Sequence, residues 1–257
     1  MNLYTLDSLV TFKLFSAFII LITSLIAGII PLKHFLSKKN SFEFPAAEAL
    51  ASGFFLGAAL LHMLNEANQE FVSLGMHYPY AYLLAGIVFL FLLSLEHIAR
   101  EISEHNGTRS VLFAIIAVGM MSFHSLFEGI ALGLREKMSL AVIVFIAIIA
   151  HKWVESFSLS LQITKNYISK GFGLFLFIIY VLMTPLGILF GSMVQDSVKN
   201  YHILEPIFSS LAAGTFLYIG TLHGLTRSVL IEKCCNFKEF TFVVVGFAIM
   251  AIVVIWS

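Results

Sequence analysis

The sequence predicts an all-α integral membrane protein with eight transmembrane helices. Three observations lead there. Of 257 residues, 59% are hydrophobic and only 12% are Asp, Glu, Lys or Arg, about half the charge of a soluble domain. Apolar stretches of roughly 20 residues, the length a helix needs to cross a bilayer, recur along the whole chain. Inside two of these stretches, ionisable residues stand at a matched spacing, and such residues are costly at bilayer depth.

Each stretch reads as a helix because hydrocarbon offers no partner for backbone N–H and C=O groups. Helix one is expected at 8–30, ended by Pro31. Residues 1–7 carry no basic cluster and the run after them is long enough to span, so it is kept as a helix rather than a cleaved signal. Helix two is expected at 46–65, behind Pro45, and helix three at 79–99, between Pro79 and the polar run Ser103–Gly107. Helices four and five are expected at 110–134 and 139–163. Helix six, at 171–194, contains Pro185, which should kink it. Helices seven and eight are expected at 205–226, beginning beside Pro206, and at 239–256. Residues 1–257 thus read as a single transmembrane domain.

Eight spans put both termini on one side. The loops after helices one, three, five and seven hold ten Lys and Arg, against Arg135, Lys137 and Lys199 on the other side and Lys13 near it. The positive-inside rule then places both termini in the extracytoplasmic space, with the plasma membrane as the expected location.

Composition also excludes function classes. A formal net charge of +0 leaves no basic footprint for nucleic acid. The two cysteines, Cys234 and Cys235, are adjacent and form neither a disulfide framework nor a C-x-x-C metal pattern. No phosphate-binding loop is present, so any transport must draw on a gradient.

The matched segments are His124-Ser-Leu-Phe-Glu128-Gly-Ile-Ala-Leu132-Gly-Leu134 and His151-Lys-Trp-Val-Glu155-Ser-Phe-Ser-Leu159-Ser-Leu161. A His and a Glu at i and i+4 share one helix face. Helix four runs outward and helix five inward. Their matching motifs suggest a pseudo-two-fold axis in the membrane plane, with a ligand at the midplane. Two imidazoles and two carboxylates suit Zn²⁺ and Fe²⁺, tolerate Mn²⁺ and Cd²⁺, and without a thiolate do not suit copper(I). The ammonium of Lys152 beside this set compensates the two carboxylates. Gly129, Gly133, Ala131, Ser156, Ser158 and Ser160 are small enough to let helices four and five approach closely. His62 and Glu66 repeat the i, i+4 pattern at the outer end of helix two, as a first docking point for metal. Glu96, near the inner end of helix three, and His223 of helix seven read as ligands on an exit path.

Two classes compete on these residues. One is a transporter of divalent metal. The other is an intramembrane metal-dependent hydrolase, which needs about three ligands, an open water position and a general base. The chain has no H-E-x-x-H, and its His and Glu are spread over several helices as along a path.

The motif pair His-Ser-x-x-Glu-Gly-x-Ala-x-Gly and His-Lys-x-x-Glu resembles the ZIP family of zinc and iron transporters, in particular the subgroup with His-Lys in the fifth helix. Gly53-Phe-Phe-Leu56, Leu61-His62-Met-Leu, Tyr78-Pro79-Tyr, Leu95-Glu96, Thr184-Pro185-Leu-Gly187 and Ala213-Gly214-Thr-Phe-Leu-Tyr218 are similar to other helices of that family, so the likeness covers nearly the whole chain. The resemblance implies helices one to three and six to eight as inverted repeats around four and five. It implies movement of metal, most of all Zn²⁺, toward the cytoplasm, and no enzymatic activity. It implies metal-site positions at His124, Ser125, Glu128, His151, Lys152 and Glu155, and a homodimer. Some relatives hold a second metal with an acid where this chain has Lys152, and another acid where it has Thr184. Both departures argue for one metal here.

Overall fold

The computed structural model describes residues 3–36, 45–106, 109–165, 169–198, 201–222 and 237–256. Among them lie eight long helices and no strand: α1 (Leu3–Leu36), α2 (Pro45–Ser73), α3 (Tyr80–Asn106), α4 (Arg109–Leu134), α5 (Met138–Lys165), α6 (Lys170–Val198), α7 (Leu204–Tyr218) and α8 (Phe237–Val253). Helices α1 to α6 are each long and apolar enough to cross a membrane. Over the described residues the chain is an all-helical membrane protein. Residues 223–236, between α7 and α8, lie outside the described set, and His223, Cys234 and Cys235 with them.

Large apolar side chains point outward. Phe18, Leu90 and Phe190 are each more than half exposed, which in this setting is a lipid-facing surface. The polar residues turn inward instead: Lys13, His124, Glu128, Arg135, His151, Lys152 and Glu155 are all buried.

Several expected boundaries move; α3 runs to Asn106, into the polar run expected to end it, and two other shifts have a clear cause. Pro31 does not end α1, which runs on to Leu36; near a helix end a proline forfeits one backbone bond, and buried Leu32 continues the packing. Helix two does not end at residue 65 but reaches Ser73. Its last turns are amphipathic, with Leu64, Ala67 and Phe71 buried beneath Asn65, Glu66, Gln69 and Glu70. His62 and Glu66 therefore lie within the helix, not at its tip. The helix closes on Gly75, at φ 79°, with the Met76 N–H donating to the Phe71 carbonyl at 3.0 Å, a left-handed cap that glycine makes at least cost.

The helices sort into two groups. Helix α4 packs along α6, and α1 packs on both α5 and α6; α2 packs along α8, and α3 along α7. The groups meet mainly where α4 lies against α7. Gly129 and Gly133, read from sequence as spacers for α5, instead face α6. A Cβ on Gly129 would lie 3.0 Å from the Gly187 Cα, and one on Gly133 2.9 Å from the Gly191 Cα. The reason is helical phase: Gly129 follows Glu128 by one residue and so points about 100° away from the His124–Glu128 face. Paired Gly-x-x-x-Gly stripes on α4 and α6 then let the backbones touch. Gly129→Val should lower the thermal midpoint of the detergent-solubilised protein, at a cost of roughly 1–3 kcal/mol for overpacking. Gly86→Ala, whose added carbon meets nothing within 4 Å, should not lower the midpoint.

Candidate metal centre

Helix α4 brings His124, Ser125 and Glu128 to one face, and α5 answers with His151, Lys152 and Glu155. All six are buried. One ligand atom each from His124, Glu128, His151 and Glu155 lies within 4.8 Å of the other three. Glu128 accepts a short contact from His151 Nε2. Ser125 Oγ donates to Glu155 at 2.7 Å. Lys152 Nζ donates to Glu155 and to Ser125 at 2.8 Å each, lies 3.4 Å from Glu128, and sits 5.2 Å from the centre of the Tyr180 ring.

Neighbouring helices fix the imidazoles. His124 Nδ1 is 3.0 Å from the Ala212 carbonyl, which can only accept, so Nδ1 carries the proton. Thr215 Oγ1 lies 2.7 Å from the same nitrogen and donates to the same carbonyl at 2.6 Å. That tautomer leaves Nε2 with a free lone pair, and this buried atom has no hydrogen-bond partner. Phe216 stacks on the His124 ring at 3.7 Å and meets the His151 ring edge-on at 5.2 Å. An oriented imidazole with its second nitrogen held by a carbonyl is how proteins prepare a metal ligand. Two carboxylates, an unpartnered Nε2 and a second imidazole can hold one divalent cation of borderline character. Thr215 and Phe216 lie in the stretch Ala213–Tyr218 singled out in the sequence, but no site role was read for them, and Tyr180 was not singled out at all; only the apposition of α6 and α7 with the motif helices gives them one.

The other predicted residues divide. His62 lies in a π-helical segment, Ala58–Met63, that interrupts α2; such insertions rotate side chains and recur at functional sites. Its Nε2 is 3.8 Å from Glu66. His62 and Glu66 share a cavity of about 30 Å³ with Glu128, His151 and Arg135, so they border the centre without entering the four-residue set. Glu96 is buried but engaged elsewhere: it accepts from Tyr218, a contact of very short length, and from Arg100 Nε at 3.2 Å. His223 lies outside the described residues. Thr184 is buried beside α4.

Arg135 departs most from expectation. Read as a loop cation, it is only 2% exposed. Its Nη1 contacts Glu70 and lies 3.2 Å from Glu205, and its Nη2 is 3.0 Å from Glu66. Burial works against its charge, but Glu70, Glu66 and Glu205 outweigh that and hold its pKa above the ordinary arginine value.

Comparison with known proteins agrees with this chemistry. The family profile for the ZIP zinc transporter matches residues 10–111 and 103–254. Zinc transporter ZIP2 of Homo sapiens is 26% identical over 260 residues, covering 81% of this chain and 84% of that protein. Zinc transporter 11 of Arabidopsis thaliana is 27% identical over 288 residues, covering 97% of this chain and 86% of that protein. Zinc transporter ZIP1 of Homo sapiens is 34% identical over 124 residues, covering 48% of this chain and 38% of that protein. Profile matches that embrace both motif helices and nearly all the flanking ones leave one assignment: the chain belongs to the ZIP zinc transporter family.

Proposed function

We propose that this protein moves Zn²⁺ across the membrane toward the cytoplasm through a midplane site built by His124, Glu128, His151 and Glu155, with Ser125 and Lys152 adjusting its charge. The observation that carries the reading is the convergence of two imidazoles and two carboxylates, within 4.8 Å, in a buried position between membrane-spanning helices. Ionisable groups at that depth are costly and mark an ion path. The relatives named above are zinc transporters, and the coverage of 81% and 97% of this chain by two of them extends zinc to it as cargo. The same comparison disfavours the intramembrane hydrolase.

Finer features belong to the same proposal. The chain forms one transporter domain over residues 1–257, with eight spans, both termini extracytoplasmic, and helices α1–α3 and α6–α8 as inverted repeats around α4–α5. The cation-rich loops after α1, α3, α5 and α7 support that orientation and a plasma-membrane location. His62 and Glu66 dock metal on the outer side, and Glu96 and His223 receive it on the inner side. Fe²⁺, Mn²⁺ and Cd²⁺ are secondary cargo on the same donor set, and the His151-Lys152 motif supports membership of the subgroup with His-Lys in the fifth helix. The functional unit is a homodimer in the bilayer.

Purified protein in liposomes loaded with a zinc-sensitive dye should give time-dependent Zn²⁺ entry down its gradient, slowed by external Cd²⁺. Liposomes that bind Zn²⁺ at the protein without accumulating it would overturn the reading.

A further inference from the structure

The turn joining α4 to α5 is held differently on its two sides. On one side it is pinned to its own helix group. Lys13 of α1 donates to the Gly133 carbonyl at 2.6 Å and to Gln195 of α6 at 2.7 Å, and Gln195 donates to the Arg135 carbonyl at 3.2 Å. On the other side the Arg135 side chain crosses to the second group, where Glu66 and Glu70 of α2 and Glu205 of α7 receive it. The backbone of residue 135 thus belongs to one group and its guanidinium to the other.

We propose that Arg135 is a latch: its ion pairs tie the two helix groups together at this end and close the route from the outer surface to the metal centre. The latch rests on the orientation and transport reading given above. Its place supports it, because Arg135 lines the same 30 Å³ cavity as His62, Glu66, Glu128 and His151. That volume admits little more than a water or a bare ion. On the far side of Arg135 lies a larger cavity of about 300 Å³, lined by Glu70, Glu136, Lys137, His202 and Glu205 among others. Arg135 borders both, so it stands between them. The electrostatics also fit a removable part. Three carboxylates gather on the Arg135 guanidinium, with His62 beside Glu66 and Lys13 and His202 near Glu205, and such a partly buried acidic cluster attracts a further cation. An arriving divalent ion competes with the guanidinium for the same oxygens, so metal arrival and release of the tie are linked. Alternating access by motion of one helix group against another needs such a contact to break on each cycle.

The test reads accessibility and does not depend on transport. Ser209 lines the small cavity behind Arg135. In full-length protein carrying Cys234→Ser and Cys235→Ser, Ser209→Cys supplies one thiol. Labelling rates are measured with a cationic and with an anionic membrane-impermeant methanethiosulfonate, applied to either face of sealed vesicles. Arg135→Gln should accelerate labelling by both reagents about tenfold or more, a loss of about 1.4 kcal/mol or more from the closed state. Arg135→Lys should restore much of the slow rate. Glu205→Gln, which leaves Glu66 and Glu70 paired, should fall between, and it serves if Arg135→Gln does not fold. Unchanged rates in these variants would overturn the latch. So would faster cationic and slower anionic labelling, since that pattern reports altered local charge without opening. If acceleration appears only from the cytoplasmic face, the latch stands and the proposed orientation fails.

Discussion

Glu155→Gln should cut Zn²⁺ uptake into liposomes below about one tenth of the wild-type rate, and His124→Ala should do the same, with both proteins still folded and inserted. Losing even a residue that supports a ligand typically costs 10–100-fold in metal affinity or activity, and losing a ligand costs more. Glu155 is fully buried and binds both Ser125 Oγ and Lys152 Nζ. Glutamine keeps the volume and one carbonyl oxygen for those donors while removing the charge that a divalent ion needs. Both substitutions take a charge from beside the Lys152 ammonium, where breaking a buried pair costs about 3–5 kcal/mol, but alanine at 155 also removes the acceptor oxygen, so loss of uptake there would be more strongly confounded by loss of fold. His124→Ala removes an imidazole whose Nε2 is left without a hydrogen-bond partner while its Nδ1 is held by the Ala212 carbonyl. The check is initial uptake per milligram of monodisperse protein. Wild-type uptake in both variants would remove these residues from the transport path.

The four proposed ligands were legible because their signal is local. A His and a Glu at i and i+4 must share a helix face whatever the tertiary arrangement, and repetition of the pair on the next helix makes convergence the economical outcome. The six long apolar spans were legible for a similar reason, since bilayer thickness sets their length. What escaped depends on relations between helices. The cradle for His124 comes from Ala212, Thr215 and Phe216, some 90 residues away in the chain and unmarked by spacing. Gly129 and Gly133 showed close packing but not its partner, because which face meets α6 depends on crossing geometry. The π segment holding His62 has no compositional mark. Arg135 misled most directly: a single arginine after an apolar run reads as a solvated loop charge, and only the fold brings Glu66, Glu70 and Glu205 around it.

Lys152→Asp should convert the centre from one divalent ion to two, with tighter binding and slower turnover. In the native chain the ammonium is completely buried, 2.8 Å from Glu155 and 3.4 Å from Glu128, with Ser125 and the face of Tyr180 completing its surroundings. It therefore touches both carboxylates, and on the reading proposed above it stands in for a second cation and offsets their charge when metal has left. With a divalent ion bound, the same ammonium repels it, which keeps binding weak enough for release. Aspartate reverses both effects. Its carboxylate is shorter than the lysine it replaces, so room opens where Nζ stood, and three carboxylates in low dielectric now call for a second metal. Lys152→Met separates charge from ligation: it should tighten the single ion without creating a second site. Zinc content per chain, together with anomalous-scattering maps of crystals at the zinc edge, reads the difference. Two peaks in Lys152→Asp and one in Lys152→Met are expected. One peak in both, with no density beside residue 152, would show that the ammonium holds the helices together and does not stand in for a metal.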